Sequence, residues 1–329
     1  MTTADEAYAS PCTHSREPSL ISFEVMPPRN PSAAPKFWGT LDELLTTRPD
    51  FISVTYGAGG RDRSTARTVV AELHHNAPVQ PIAHLTCVGN STTDVLATVS
   101  DYLDSGVRTF LALRGDPPAD DPDWTPQRGG VGSAIELIHL IRTVEKRRCD
   151  HHPGEALRAA LKPLTIAVAA FAAGNPAAGT TPEQEAERLL LKQAAGADFA
   201  ITQLFWKPET YLRFVDRARR LGVTIPIVPG ILPPTDVARL GRVTDLSGIE
   251  VPGTILDAIR DADTPEARHA LGVDIGSRLA RDVLEGGAPG IHLFTFNTAR
   301  PSIDILTRLG RGPVLDPAPL RADLGDALA

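Results

Sequence analysis

Thr109-Phe-Leu-Ala-Leu-Arg-Gly-Asp-Pro-Pro118 is an apolar run of strand length that ends in an arginine, a carboxylate and two prolines. Proline has no N–H for a ladder, so the strand stops there and leaves the charged pair on its C-terminal rim. Seven further apolar runs, starting at Leu20, Phe51, Pro81, Leu164, Phe199, Pro226 and Gly290, also end in polar or small residues. Helical spacing fills the gaps: Ala66, Val69, Val70 and Leu73 fall at i, i+3, i+4 and i+7. Ser91 with Asp94, and Thr181-Pro-Glu-Gln184, are cap sequences that start two of the helices. Eight strands alternating with helices, about thirty residues apart, predict an α/β fold, the (β/α)8 TIM barrel. Extra helices are expected before the eighth strand. A doubly wound sheet would more typically have fewer strands and a phosphate fingerprint after the first.

No linker or repeat interrupts the series, so one domain is expected over 20–309 of the 329 residues. Residues 1–19 read as a disordered tail and 310–329 as a flexible one. Residues 117–132, rich in Pro, Asp and Gly, read as a long loop, and 149–162 as irregular. Net charge is −7 without a basic block, which argues against a nucleic-acid partner. Cys12, Cys87 and Cys149 are scattered and form no C-x-x-C, so neither a zinc site nor a disulfide framework is expected, and reduced thiols in the cytoplasm are. The acidic N-terminus is not a signal peptide, and the longest apolar run, Leu164 to Ala173, is too short to span a bilayer.

If the strands are parallel, Glu24, Thr55, His84, Arg114, Asp116, Gln203 and Asn297 share the C-terminal face, where barrel active sites lie. A carboxylate inside a strand, as Glu24 is, must be paired, protonated or at an opening. Glu24 and Asp116 can meet there and push each other's pKa values apart, leaving one as a general acid. An amide such as Gln203 suits a heterocycle with alternating donors and acceptors. On residue types alone His84 reads as a core histidine. A Schiff-base lyase would need Lys207, which opens a helix before Pro208, and a metal-dependent hydrolase would need more rim ligands than His84 and Asp116.

Six stretches in order give the chain its likeness. They are Phe23-Glu24-x-x-Pro-Pro28, Val54-Thr-Tyr-Gly-Ala58, His84-Leu-Thr-Cys87, Ala112-Leu-Arg-Gly-Asp116, Ala195-Gly-Ala-Asp-Phe-Ala-Ile-Thr-Gln203 and Pro229-Gly-Ile-Leu-Pro233. Over roughly residues 20 to 309 the sequence resembles the methylenetetrahydrofolate reductase family. The resemblance implies a barrel that binds FAD and reduces 5,10-methylenetetrahydrofolate to 5-methyltetrahydrofolate with NADH or NADPH. By it, Glu24 is the general acid toward N10. Asp116 lies by flavin and folate and helps poise Glu24. Gln203, with Phe294 and Arg300, contacts the folate. Thr55, Tyr56, His84, Leu113, Arg114, Gly115, Asp116, Ser133, Phe171 and Lys192 match cofactor-contacting positions.

The departures gather on the pockets. Phe171-Ala-Ala-Gly-Asn-Pro176 lacks the Glu and His the family usually carries there, and a flavin-side tyrosine reads Ser133. Lys207 replaces an Asp, and a folate-stacking Phe aligns with Val237. Thr298 stands where the family has a folate-side arginine, which is then missing unless Arg300 substitutes for it. Two alternatives therefore stay open beside an FAD enzyme: a flavin-independent reductase taking hydride directly from NAD(P)H, and a folate- or flavin-binding barrel without catalysis. No residue selects NADH over NADPH. The extra helices either pack on a second copy, making a homo-oligomer, or cap the barrel.

Overall fold

The apolar runs fold into a ring of parallel strands wrapped by helices. The structure is a computed structural model and describes residues 19–56, 63–115, 121, 124–126 and 128–314. Strands β1 (Leu20–Val25), β2 (Phe51–Val54), β3 (Gln80–Thr86), β4 (Thr109–Leu113), β5 (Thr165–Ala170), β6 (Phe199–Thr202), β7 (Ile227–Val228), β8 (Gly230–Ile231) and β9 (Gly290–Phe294) form one sheet. All pairings are parallel, and β1 lies between β2 and β9. β7 and β8 are the two halves of the expected seventh strand, split at Pro229. The first half pairs with β6 and the second with β9, so the ring closes around a residue that cannot donate. The Pro229 carbonyl still accepts from His292 N–H at 2.9 Å.

The helices are α1 (Ala34–Leu45), α2 (Ser64–Asn76), α3 (Thr92–Asp104), α4 (Ala134–His151), α5 (Pro153–Leu161), α6 (Pro182–Ala194), α7 (Pro208–Leu221), α8 (Val237–Ser247), α9 (Gly253–Asp261), α10 (Pro265–Glu285) and α11 (Ala299–Arg308). The caps read from sequence form: Ser91 with Asp94 and Thr181 with Gln184 each make a reciprocal capping box. Residues 149–162 correct the expectation of irregular chain. They extend α4 to His151 and then form α5, which buries no residue and is tied to α4 by Glu155 and Arg148 at 3.5 Å. A helix with no buried stripe leaves no apolar period to read. At the C-terminal end, Val314 N–H donates to the Thr46 carbonyl at 2.8 Å and Arg311 to the Ser19 carbonyl at 3.1 Å, so the expected tail is held by the barrel as far as Val314. Residues 1–18 and 315–329 lie outside the described residues, as do 117–120, 122, 123 and 127 of the 117–132 loop.

Side chains alternate along each strand, one set outward and one into the pore. The outward set, including Phe23, Val54, Phe110, Ile166 and Leu293, packs against the helices as the main core. The pore set is split by chemistry. On the β3–β7 side it is apolar: Ile82, Leu111, Ala167, Phe199, Ile201 and Val228. Phe51 stacks on Phe199 across it, with centroids 5.9 Å apart. On the β9–β1–β2 side it is polar, with His292, Ser22 and Ser53 all buried. α10 packs closely beside the mouth because its glycines allow it. A Cβ on Gly272 would meet Thr235 Cγ2 at 2.7 Å and one on Gly276 would meet Ile305 Cδ1 at 2.6 Å. This contact fixes the 233–235 segment from which α8 departs.

Ring closure makes Gly230 irreplaceable. A Cβ there would collide with the Thr202 carbonyl and meet Phe294 Cε2 at 2.7 Å. Gly230→Ala is expected to cost about 3 kcal/mol of stability. Gly241→Ala, in the middle of α8 with nothing within 4 Å, is expected to gain about 0.5–1 kcal/mol. Urea denaturation of the two variants checks both signs.

Candidate active site

Glu24 sits at the junction of the polar pore wall and the open end of the barrel. Its strand partners are Ser53 on β2 and Phe294 on β9. About a quarter of its side chain is exposed (26%), and desolvation by the surrounding protein raises its pKa from 4.5 to about 7. His84 Nε2 lies 3.9 Å from Glu24 Oε2. His84 offers no counter-charge, because its own burial pushes its pKa down to about 3, helped by nearby His292. His292 is likewise held near 3 by burial, and its Nδ1 lies 2.8 Å from Ser22 Oγ. Two polar atoms next to Glu24 are buried without a hydrogen-bond partner among the described residues: His84 Nε2 and Ser53 Oγ. A carboxyl poised to hold or release its proton near neutral pH, facing orphaned polar groups, is suited to proton donation.

β1 leaves the ring at Met26, ahead of Pro27 and Pro28. Asn297 fixes that exit: its Oδ1 accepts from Met26 N–H at 2.8 Å and its Nδ2 donates to the Met26 carbonyl at 2.6 Å. The backbone accommodates this by placing Phe296 and Asn297 at φ 47° and 56°, a strained setting for side-chain-bearing residues. Thr295 Oγ1 adds a bond to the Glu24 carbonyl at 2.7 Å. The acid is therefore held by the last strand of the chain.

The other expected site residues arrive unequally. Thr55 is half-buried at the end of β2, in pore phase with Ser53. Tyr56 is buried to the side, under the Arg63 guanidinium at 5.0 Å, in a groove of about 390 Å³ shared with Arg67, Asn90 and Asp94. Leu113 packs on the pore cluster and Arg114 is exposed beyond it. Gly115, at φ 84°, lets the chain pass Thr86, whose Cβ a side chain would meet at 3.1 Å. Asp116 lies outside the described residues. Lys192 reaches from α6 and donates to the Ala169 carbonyl at 2.8 Å, and burial lowers its pKa to about 8. Gln203 is half-buried, its amide oxygen accepting from Leu204 N–H at 2.9 Å. Phe294 is half-buried, edge-on to His292 at 5.2 Å. Ser133 caps α4 by accepting from Glu136 N–H at 3.2 Å. Phe171 is half-buried at the start of a turn closed by paired Asn175–Thr180 backbone bonds of 2.9 and 3.0 Å. Arg300 is 68% exposed and lies 3.7 Å from Asp304. The sequence reading passed over Ser53, His292 and Arg239. The first two are visible in retrospect as members of the inward phase of their strands, while Arg239 has no local signal.

A family-wide sequence profile described as methylenetetrahydrofolate reductase matches residues 12–310. The chain belongs to the methylenetetrahydrofolate reductase family. It is 32% identical over 300 residues to the 5,10-methylenetetrahydrofolate reductase of Pectobacterium carotovorum subsp. carotovorum, covering 89% of this chain and 91% of that one. It is 30% identical over 301 residues to a "Probable methylenetetrahydrofolate reductase (NADH)" of Oryza sativa subsp. japonica, covering 89% of this chain and 48% of that one. The chain thus spans about half the length of that plant relative. Among solved structures, an uncharacterized protein from Clostridium thermocellum that binds two copies of 5-methyl-5,6,7,8-tetrahydrofolic acid shares the fold. Its TM-score is 0.57 at 14% identity over 89% of this chain and 96% of that one. Among the described residues of this family member, no helix is long and apolar enough to cross a membrane.

The Glu24 carboxyl binds a proton in the folded chain that the unfolded chain has released, so stability falls as pH rises from about 4.5 to about 7 and is flat above. The span corresponds to roughly 3 kcal/mol. Glu24→Gln removes the penalty. Its stability relative to the parent is expected to grow through that window, and thermal melts at a series of pH values measure it. A difference that does not change with pH would refute the raised pKa.

Proposed function

We propose that this protein reduces 5,10-methylenetetrahydrofolate to 5-methyltetrahydrofolate with NADH or NADPH. The reading is carried by Glu24, a carboxyl with a pKa of about 7 at the barrel mouth of a methylenetetrahydrofolate reductase family chain. In balance, the folate, NAD(P)H and one proton give the methyl product and NAD(P)⁺. The raised pKa leaves a substantial share of Glu24 protonated at neutral pH. Its transfer to N10 breaks the bond from N10 to the methylene carbon and leaves an iminium at N5. That methylene carbon is then the hydride acceptor. His84 and His292 stay neutral throughout, so neither competes as the acid. In this reading Gln203, the residue after β6, binds the pterin, supported by its position at the strand end, and Phe294 pairs in register with Glu24. Asp116 belongs to the same proposal as a second carboxyl that poises Glu24.

The β2–β5 rim fits FAD. The orphaned His84 Nε2 offers a polar contact, Gly115 keeps the β4 exit free of a Cβ, and exposed Arg114 and half-buried Lys192 offer cations for an anionic tail. Thr55, Tyr56, Leu113, Ser133 and Phe171 complete the proposed cofactor contacts. A flavin held there supplies a two-electron relay between nicotinamide and folate. A second reading, direct transfer from NAD(P)H, is favoured by one observation. The turn after Phe171 pairs Asn175 with Thr180 through its own backbone, and Ser133 is used as a helix cap, so these groups are already engaged.

Purified protein with flavin absorbance supports the first route, and colourless protein that oxidises NAD(P)H with methylenetetrahydrofolate supports the second. On either route, folate reduction is expected to fall as pH rises above about 7, as Glu24 loses its proton. Glu24→Gln should lower turnover by about 10²- to 10⁴-fold. Steady-state rates from pH 5.5 to 9 (assay settings, about one unit apart) test this, and unchanged turnover in Glu24→Gln removes the acid role.

A further inference from the structure

Beside the pore and the outer core lies a third apolar cluster. It includes Leu204, Leu232 and Leu240, with Trp206, Phe294 and Phe296 packed against it. Phe294 is also the strand neighbour of Glu24, so this cluster adjoins the acid. Arg239, in the first turn of α8, joins it. Its guanidinium lies 5.4 Å from the Phe296 ring centroid and donates to Thr298 Oγ1 at 3.2 Å. Its Nε is buried with no acceptor among the described residues, and the same holds for Trp206 Nε1. The neighbouring carboxylate, Asp236, caps α8 by accepting from the Arg239 backbone N–H at 2.7 Å. Desolvation is the main influence on the Arg239 guanidinium and lowers its pKa. Keeping a cation half out of water for one hydroxyl contact is unfavourable. Two orphaned N–H donors beside two aromatic rings suit a ligand with acceptor oxygens on a flat apolar body.

We infer that Arg239 is a specificity-determining residue that takes the carboxylate-bearing aminobenzoyl-glutamate end of the substrate, with Trp206 as a second donor. This rests on the folate reduction proposed above. The two ends of a reduced folate differ in chemistry: the pterin is a neutral heterocycle and the glutamate is anionic. Glu24 and Gln203 suit the first, and Phe294, Phe296 and Arg239 the second. Arg239 stands on α8, outside the six stretches that carry the family likeness. Arg242, exposed, lies close enough to act on the Arg239 guanidinium and adds to the positive charge there.

Kinetics with 5,10-methylenetetrahydrofolate and with the primary amide of 5,10-methylenetetrahydropteroate, which carries neither the glutamate nor any other carboxylate, test the assignment. A charge-assisted contact worth about tenfold or more in binding should set the KM ratio of the two substrates in the parent protein. Arg239→Ala is expected to raise KM for the folate about tenfold, leave KM for the pteroyl amide in place and bring the ratio near one, with the effect on KM rather than kcat. Arg239→Lys should restore part of the ratio. A rise of equal size for both substrates overturns the inference, as does a ratio that collapses in Arg300→Ala and survives in Arg239→Ala. Calorimetric binding of 5-methyltetrahydrofolate and the corresponding pteroyl amide reads the same ratio without turnover. Absence of turnover with the ratio intact would then count against the proposed activity alone, and equal binding of the two ligands against the Arg239 anchor.

Discussion

Closing a ring of parallel strands requires every strand to find a partner on both sides, and Pro229 makes the seventh strand unable to do so uniformly. The pairing is handed over at that residue: Ile227 and Val228 serve β6, and Gly230 and Ile231 serve β9. Much of the mouth follows from this handover. Gly230 leaves room for the Phe294 ring, and Phe294 in turn flanks Glu24. The chain beyond Ile231 leaves through 233–235, where the glycine face of α10 receives it and α8 begins. Backbone pairing, not side-chain chemistry, thus decides where the aromatic and cationic groups of that side stand.

Within the ring, the electrostatics are set by what is withheld. Glu24 has a partly open carboxyl, two neutral histidines nearby and no cation among the described groups that contact it. An arginine at the position of His84 would turn the acid into an ordinary ion-paired carboxylate. Burial alone keeps both imidazoles uncharged, so the polar half of the pore carries hydrogen-bonding capacity without charge. The apolar half, from Ile82 round to Val228, keeps water out of the other side. The cations at the rim, Arg114, Lys192 and Arg239, stand off from the acid on other elements.

Strand order, capping boxes and inward phase were legible in the sequence because each is a local pattern. Leu20, Ser22 and Glu24 alternate with Ile21, Phe23 and Val25, and the structure keeps that phase. α5 was not legible, since it is stabilised by Pro153 and by ion pairs rather than by an apolar stripe. Nor was the split of the seventh strand, because a proline in a strand does not say to which neighbour each half pairs. At the site, Glu24 could be picked out as a carboxylate in a strand, but the sign and cause of its shift needed the neighbours. Arg239 was invisible for a further reason. Its distance to Phe296 depends on how α8 is seated by α10, which no short motif encodes. Asp116, prominent in the sequence, lies outside the described residues.

The clamp between Asn297 and Met26 joins residues 271 positions apart, and β1 and β9 are the first and last strands of the ring. During synthesis, β1 emerges long before β9 exists. Until the final strand arrives, Glu24 has one flank open to water, and a solvated carboxyl keeps an ordinary acidity. The chemical character of the acid is therefore acquired at the last long-range step of assembly, when loop closure is entropically most demanding. A nascent or C-terminally shortened barrel holds the right residue in the wrong medium. The proton donor is, in this sense, a product of completion rather than of local sequence.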